Sequence, residues 1–360
     1  MSAYIEPREA LRSLDGYHSP QLDVSVRLNT NESPYAPPED FVEAWLDAVR
    51  GAALQRYPDR AAMALRGALG EHLNQPPERL FCANGSNEVL QTILLTYGGP
   101  SRRCLIFEPT YALHAHISRI TGTEIIARGR LDDFTVDPGA AIKTVVEQRP
   151  AVTFLCSPNN PTGTLEARET VEAILDAVAR VGGLLVVDEA YGEFASYNAT
   201  SLVSDDTPLV IVRTASKVWS LAAIRLGFAI GPTWLIENLY KVVLPYHLST
   251  PTQLAGVAAL QFGDQMDARV RRLEAERDRM SAVMRTIGAL TVFPSQANFI
   301  LFRVAGDAHT LWTRMVERGV LVRDFSSWPG VEQCLRVTVG TPEENNAFLG
   351  ALHEAVQEDM

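Results

Sequence analysis

With 360 residues and 39.5 kDa, the chain has room for one large α/β unit and a smaller companion, and 46% hydrophobic residues suffice for a full core. A net charge of −11 and an isoelectric point near 5.2 argue against a nucleic-acid surface or an anionic membrane as partner. Four scattered cysteines without CxxC spacing (Cys82, Cys104, Cys156, Cys334), no signal-like start and no apolar run near the roughly 18–20 residues of a membrane span lead us to expect buried free thiols in a soluble, cytoplasmic protein.

Residues 1–30 carry little periodicity and read as an extended N-terminal arm that runs into the loop Leu28-Asn29-Thr30-Asn31-Glu32-Ser33-Pro34. A helix is predicted over residues 38–52, where Phe41, Trp45 and Val49 recur four apart, and a second loop around Tyr57 follows it. From residue 80 to 230 apolar strands alternate with helices. Strands are predicted at 80–83, 104–107, 124–127, 152–156, 184–187, 209–212 and 228–230, with a helix at 170–181 as one clear crossover. Such near-continuous apolar runs suit strands covered on both faces, and the alternation implies a mostly parallel seven-stranded sheet.

A further helix is predicted near 234–244, stopping at Pro245. A long amphipathic helix over 264–287 follows, with Met266, Val270, Leu273, Met280, Met284 and Ile287 on one stripe. Three shorter strands are predicted at 299–303, 320–323 and 335–339, with a helix between the first two. The expected organisation is an arm (1–30), a large part (31–245) and a smaller α+β part (246–360) on which some of the arm packs.

Ligands on such sheets bind beyond the carboxyl ends of the strands, so chemistry is sought in the loops there. Asn84-Gly85-Ser86-Asn87-Glu88 opens an apolar helix whose N-terminus could hold a phosphate, or could simply be capped by Ser86 or Asn87. Glu108-Pro109-Thr110-Tyr111 offers an aromatic face, or a packing tyrosine. Ser157-Pro158-Asn159-Asn160-Pro161-Thr162-Gly163 is a rigid turn that could aim an amide, although a structural turn would account for it. Asp188-Glu189-Ala190-Tyr191 places a carboxylate and a phenol at the end of an apolar strand. Ser216-Lys217, with Arg225 downstream, supplies an amine in a chain that has only three lysines among its 32 Lys and Arg residues. A lysine can become a neutral nucleophile and a guanidinium cannot, but a solvated lysine is the plain alternative. Amine, carboxylate, phenol, aimed amide, aromatic face and phosphate-binding helix end together describe a pocket for pyridoxal phosphate. His114 and His116 stand two apart, a poor arrangement for a metal, and none is expected.

The motifs NGSNE, SPNNPTG, DEAYGEF, Ser216-Lys217 with Arg225, LPYHLS and CLRVTVG occur in this order. On them the chain resembles the fold-type I PLP-dependent aminotransferases over essentially its whole length, and within that fold the histidinol-phosphate aminotransferases. The resemblance implies that Lys217 binds the cofactor through its amine and later shuttles a proton, and that Asp188 pairs with the pyridine nitrogen. Tyr191 and Asn160 would hydrogen-bond the ring oxygen, and Tyr111 would stack on the ring. Ser86, Asn87, Ser216 and Arg225 would hold the phosphate, joined by Tyr57 from the partner subunit of a homodimer. Arg336 would take the substrate's anionic end, with Arg323, Tyr17 and Asn31 nearby. The implied activity exchanges an amino group between histidinol phosphate and 2-oxoglutarate in histidine biosynthesis; an aromatic amino-acid aminotransferase on the same scaffold is the alternative. One stretch departs from the family pattern, Val218-Trp219-Ser220-Leu221-Ala222-Ala223-Ile224, directly after the lysine.

Overall fold

Long apolar runs punctuated by Gly, Pro and Asn give two sheets in the computed structural model of the chain, which describes residues 5–12, 14, 16 and 20–358. The strands are β1 (Val26–Leu28), β2 (Leu80–Asn84), β3 (Arg103–Glu108), β4 (Glu124–Gly129), β5 (Val152–Cys156), β6 (Leu184–Asp188), β7 (Leu209–Thr214), β8 (Leu226–Ile230), β9 (Leu290–Val292), β10 (Phe299–Val304), β11 (Val320–Asp324) and β12 (Cys334–Thr338). A seven-stranded sheet runs β2-β8-β7-β6-β5-β3-β4, and a five-stranded sheet runs β1-β11-β12-β10-β9.

In the larger sheet only β8 runs against its neighbours, pairing antiparallel with both β2 and β7. Every residue of β5, β6, β7 and β8 is buried, which explains runs such as Leu-Leu-Val-Val in place of an alternating pattern. β4, at the edge, is mostly exposed and reads polar at its end. Helices cover both faces. One of them, Arg168–Val181, buries Val171, Ile174, Leu175 and Val178, the stripe its sequence displays. The parallel strands end in register: Cys156 lies opposite Asp188, and Asp188 opposite Val212. All the loops at that edge therefore open on one place.

The smaller sheet departs from expectation at its borders. Three strands are predicted there and five are present: β9 is only three residues long, and β1 belongs to the segment read as arm. Three-residue strands show no period-2 signal, and β1 is recruited by pairing parallel to β11, Val26 with Val320. The long helix Gly263–Met284 buries Met266, Val270, Leu273, Met280 and Met284, while Ile287 falls beyond its end. A closing helix, Pro342–Gln357, begins with Thr341 and Glu344 in a reciprocal capping box. All four cysteines are buried and free. Among the described residues no helix is long and apolar enough to cross a membrane.

Candidate active site

The strand ends place Asp188 at the last position of β6, where it is 1% exposed. A bare carboxylate at that depth needs partners. Its Oδ2 lies 2.9 Å from His114 Nε2, and its Oδ1 accepts the Ala190 N–H at 3.2 Å. A carboxylate only accepts, so in this contact His114 is the donor, through Nε2. The imidazole is held in turn by stacking on Phe154 (4.7 Å, 7°). His114 is the residue sequence reasoning misplaced. Judged only as a metal ligand, it is the orienting partner of Asp188, one helical turn after Tyr111 on the helix Ala112–Thr121. That spacing from Tyr111 is the signal that could have found it.

Lys217 follows β7 and points into the same cavity, its Nζ donating to Thr30 O at 3.2 Å and lying 5.7 Å from the centre of the Tyr191 ring. Burial above all, then the Arg336 charge and a smaller push from Arg225, lowers its ammonium from 10.5 to about 8, with Glu32 pulling the other way. Tyr191 is buried, which pushes its phenol up. Its oxygen accepts from Asn31 Nδ2 at 2.8 Å and from Asn160 Nδ2 at 3.4 Å. Asn31, expected near the substrate, thus holds Tyr191 and is itself anchored by Thr338 at 3.0 Å on both its N–H and its Oδ1. Asn160 is aimed by the turn around it. Arg130 ties that turn down by donating to Asn159 Oδ1 at 3.1 Å and to Phe107 O at 3.1 Å while pairing with buried Glu166.

The helix Ser86–Tyr97 starts at this cavity, and no side chain caps it. The ordinary cap by Ser86 or Asn87 is not formed; the N-cap residue is Gly85, at φ +80°. A Cβ on Gly85 would come within 2.6 Å of Arg225 Nη2, and one on Gly227 within 2.2 Å of Ser86 N. Two glycines therefore let an arginine and a strand close on an open helix end. Ser216 and Arg225 line the same cavity. Free N–H groups, a hydroxyl and a guanidinium suit a phosphate. With Lys217 and Asp188 facing the same space, the donor set fits a phosphorylated pyridine aldehyde. Tyr111 also lines the cavity, its hydroxyl donating to Asn87 Oδ1 at 3.1 Å.

The far end is built from the smaller sheet. Arg323 on β11 and Arg336 on β12 are register partners, both buried and both lining the cavity. Arg336 donates to Asn160 Oδ1 at 2.5 Å and to Asn29 O at 2.9 Å. Phe325 and Trp328, which sequence reasoning missed, complete the wall. Tyr57 was expected to act from a partner subunit and does not line its own chain's cavity. Tyr57 is 80% exposed and stacks on Tyr246 at 4.6 Å, away from the cavity. Tyr17 lies outside the described residues.

The family model for aminotransferases of class I and II matches residues 24–352, and the chain belongs to that family and is an aminotransferase. Among curated relatives, the histidinol-phosphate aminotransferase of Streptomyces avermitilis is 46% identical over 361 residues, covering 98% of this chain and 96% of its own length. That of Corynebacterium efficiens is 43% identical over 357 residues, covering 96% and 94%. Among solved structures, the histidinol-phosphate aminotransferase of Sinorhizobium meliloti in complex with pyridoxal-5'-phosphate superposes with a TM-score of 0.91 at 22% identity over 100% of both chains, which shows the shared fold.

Proposed function

We propose that the chain interconverts L-histidinol phosphate plus 2-oxoglutarate with imidazole acetol phosphate plus L-glutamate, a step of histidine biosynthesis, using pyridoxal 5'-phosphate. The observation that carries this is the convergence of Lys217, Asp188 and the uncapped Ser86 helix end with the Arg323–Arg336 pair on one cavity. Relatives of that name at 43–46% identity support the substrate.

Bound there, the cofactor supplies an electron sink for the carbon that bears the amino group. Lys217 would hold it through Nζ and, once released, would carry the proton to and from the donor's reacting carbon; in the cofactor-free chain its amine is lowered to about 8. Asp188, oriented by His114, presents a fixed carboxylate to the pyridine nitrogen and favours its charged form. Tyr191 and Asn160 would donate hydrogen bonds to the ring oxygen, and Tyr111 would face the ring. Ser86, Asn87, Ser216 and Arg225 hold the phosphate. Arg336, with Arg323 beside it, binds the anionic end of whichever substrate is present, since a planar guanidinium accepts a phosphate or a carboxylate equally well. Asn31 is assigned to the substrate end through its hold on Tyr191.

The enzyme acts as a cytoplasmic homodimer in this reading. Exposed Tyr57, stacked on Tyr246 beside exposed Leu54 and Leu244, supports a face on which a second copy sits, with Tyr57 reaching the partner's phosphate site. The two sheets support the division into a large part, a small part and an arm contributing β1. A donor panel with 2-oxoglutarate as acceptor tests the function. Histidinol phosphate is expected to exceed phenylalanine and tyrosine by about a hundredfold in kcat/KM, in line with the relatives that carry its name; the reverse order would replace this reading with an aromatic amino-acid aminotransferase. Tyr57→Phe is expected to weaken cofactor retention about tenfold, and a fully active monomer refutes the shared site.

A further inference from the structure

Past the arginines the cavity wall turns aromatic, on the turn that follows β11. Arg336 and Arg323 hold their guanidinium carbons 5.3 and 5.9 Å from the centre of the Phe325 ring, so that ring serves as the arginines' support. Trp328 meets Phe325 edge-to-face at 5.0 Å and 77°, and is half-buried where Phe325 is buried. The turn is fixed by its own backbone: Trp328 N–H donates to Phe325 O at 2.9 Å and Val331 N–H to Trp328 O at 3.1 Å, while Ser326 N–H donates to Asp324 Oδ1 at 2.7 Å. Its far side rests on the Tyr111 loop. Gly330, at φ +82°, lies so close to Pro109 that a Cβ would come within 3.1 Å of Pro109 Cδ. The indole thus lines the cavity wall, packed edge-on against Phe325, on a turn seated between the anion-holding arginines and the loop that carries Tyr111. Neither cofactor chemistry nor anion binding has a use for it.

We propose that Trp328 is a specificity-determining residue, its ring being the platform for the flat, ring-bearing branch of the amino donor. The proposal deepens the function given above and rests on its premise that two unlike substrates share this cavity. Both bring an anion to Arg336, so the arginines cannot tell them apart. Only one brings an aromatic ring. An indole packed edge-on against Phe325 offers that ring a π face for stacking, or for a cation–π contact when an imidazole is protonated. Glutamate has nothing to lay on it.

The test uses the holoenzyme in single-turnover reactions with histidinol phosphate and, separately, with glutamate, followed by the absorbance of the bound cofactor. Trp328→Ala is expected to raise the apparent Kd for histidinol phosphate about tenfold, a loss at least threefold greater than any seen with glutamate. Trp328→Phe, which keeps a ring and guards against collapse of the turn, is expected to recover most of that loss. Equal losses for both substrates, or no loss for either, overturn the proposal, as does a Trp328→Phe variant no better than Trp328→Ala. If the wild type reacts with phenylalanine and not with histidinol phosphate, it is the functional reading that fails; the role of Trp328 is then decided by the same ratio, phenylalanine against glutamate.

Discussion

The floor of the cavity and its mouth are assembled in opposite ways. At the floor, Asp188, Asn160, Lys217 and Ser86 each sit within a few residues of the end of a strand in one sheet, and the register of β5, β6 and β7 brings those ends together. At the mouth, the bonds bridge segments remote in sequence: Arg336 to Asn29 and Asn31 to Thr338 each span 307 residues. The floor is therefore set by the folding of one sheet, and the mouth by how a second sheet and strand β1 close over it. Chemistry common to all the family's reactions belongs at the floor, and discrimination between substrates belongs at the mouth.

Substitutions at the two ends should then fail differently. Lys217→Ala has the largest expected effect: kcat falls more than about a thousandfold for every substrate, since both the covalent anchor and the proton carrier go. Loss of the visible absorbance of the lysine-bound cofactor accompanies it, and a variant with near-normal turnover breaks the assignment of the floor. Arg336→Lys, at the mouth, is expected to raise KM for both donor and acceptor so that kcat/KM falls about a hundredfold, because a point charge replaces a fork that now holds both Asn160 and Asn29. A fall in kcat alone would erase the distinction between the two ends. His114→Phe is smaller, about tenfold in cofactor affinity and kcat together, because Asp188 stays in place but loses the hydrogen bond that aims it. Glutamine at the same position, able to donate again, should recover part of it; equal behaviour of the two variants would reduce His114 to packing against Phe154.

The same contrast explains what could be read from the chain. Most strands of the larger sheet were legible to within a few residues because strands covered on both faces are written as continuous apolar runs, while exposed β4 shows only the short run Ile125-Ile126-Ala127; the floor residues were legible because each loop follows such a run at once. β1 and β9 were not, being three residues long and held by pairing partners distant in sequence. His114 was passed over because its role exists only through contact with Asp188, 74 residues on. Trp328 carries no motif; only the turn's packing on Phe325 and Pro109 places it in the wall. The cap that Ser86 or Asn87 could have supplied is absent for a reason of the floor itself, a helix end left open toward Arg225.

The smallest expected effect links the two ends through charge. Lys217 belongs to the floor, yet two of the groups that set its amine, Arg336 and Glu32, belong to the mouth side, and they act with opposite sign. An amine lowered to about 8 is protonated below that pH and neutral above it. Capture of pyridoxal phosphate by the cofactor-free protein needs the neutral amine, so its rate should climb about tenfold per pH unit well below 8 and level off above it. Linkage gives the matching sign for stability. Because the folded value lies below the unfolded 10.5, the group's contribution is fullest above 10.5 and is lost as pH falls through about 8. Glu32→Gln removes the one charge that favours the ammonium, so the midpoint of the capture rate should move down by a few tenths of a pH unit; Arg336→Gln should move it up. Shifts of the same sign in the two variants, or a midpoint near 10.5 in the wild type, would mean that the mouth does not set the reactivity of the floor.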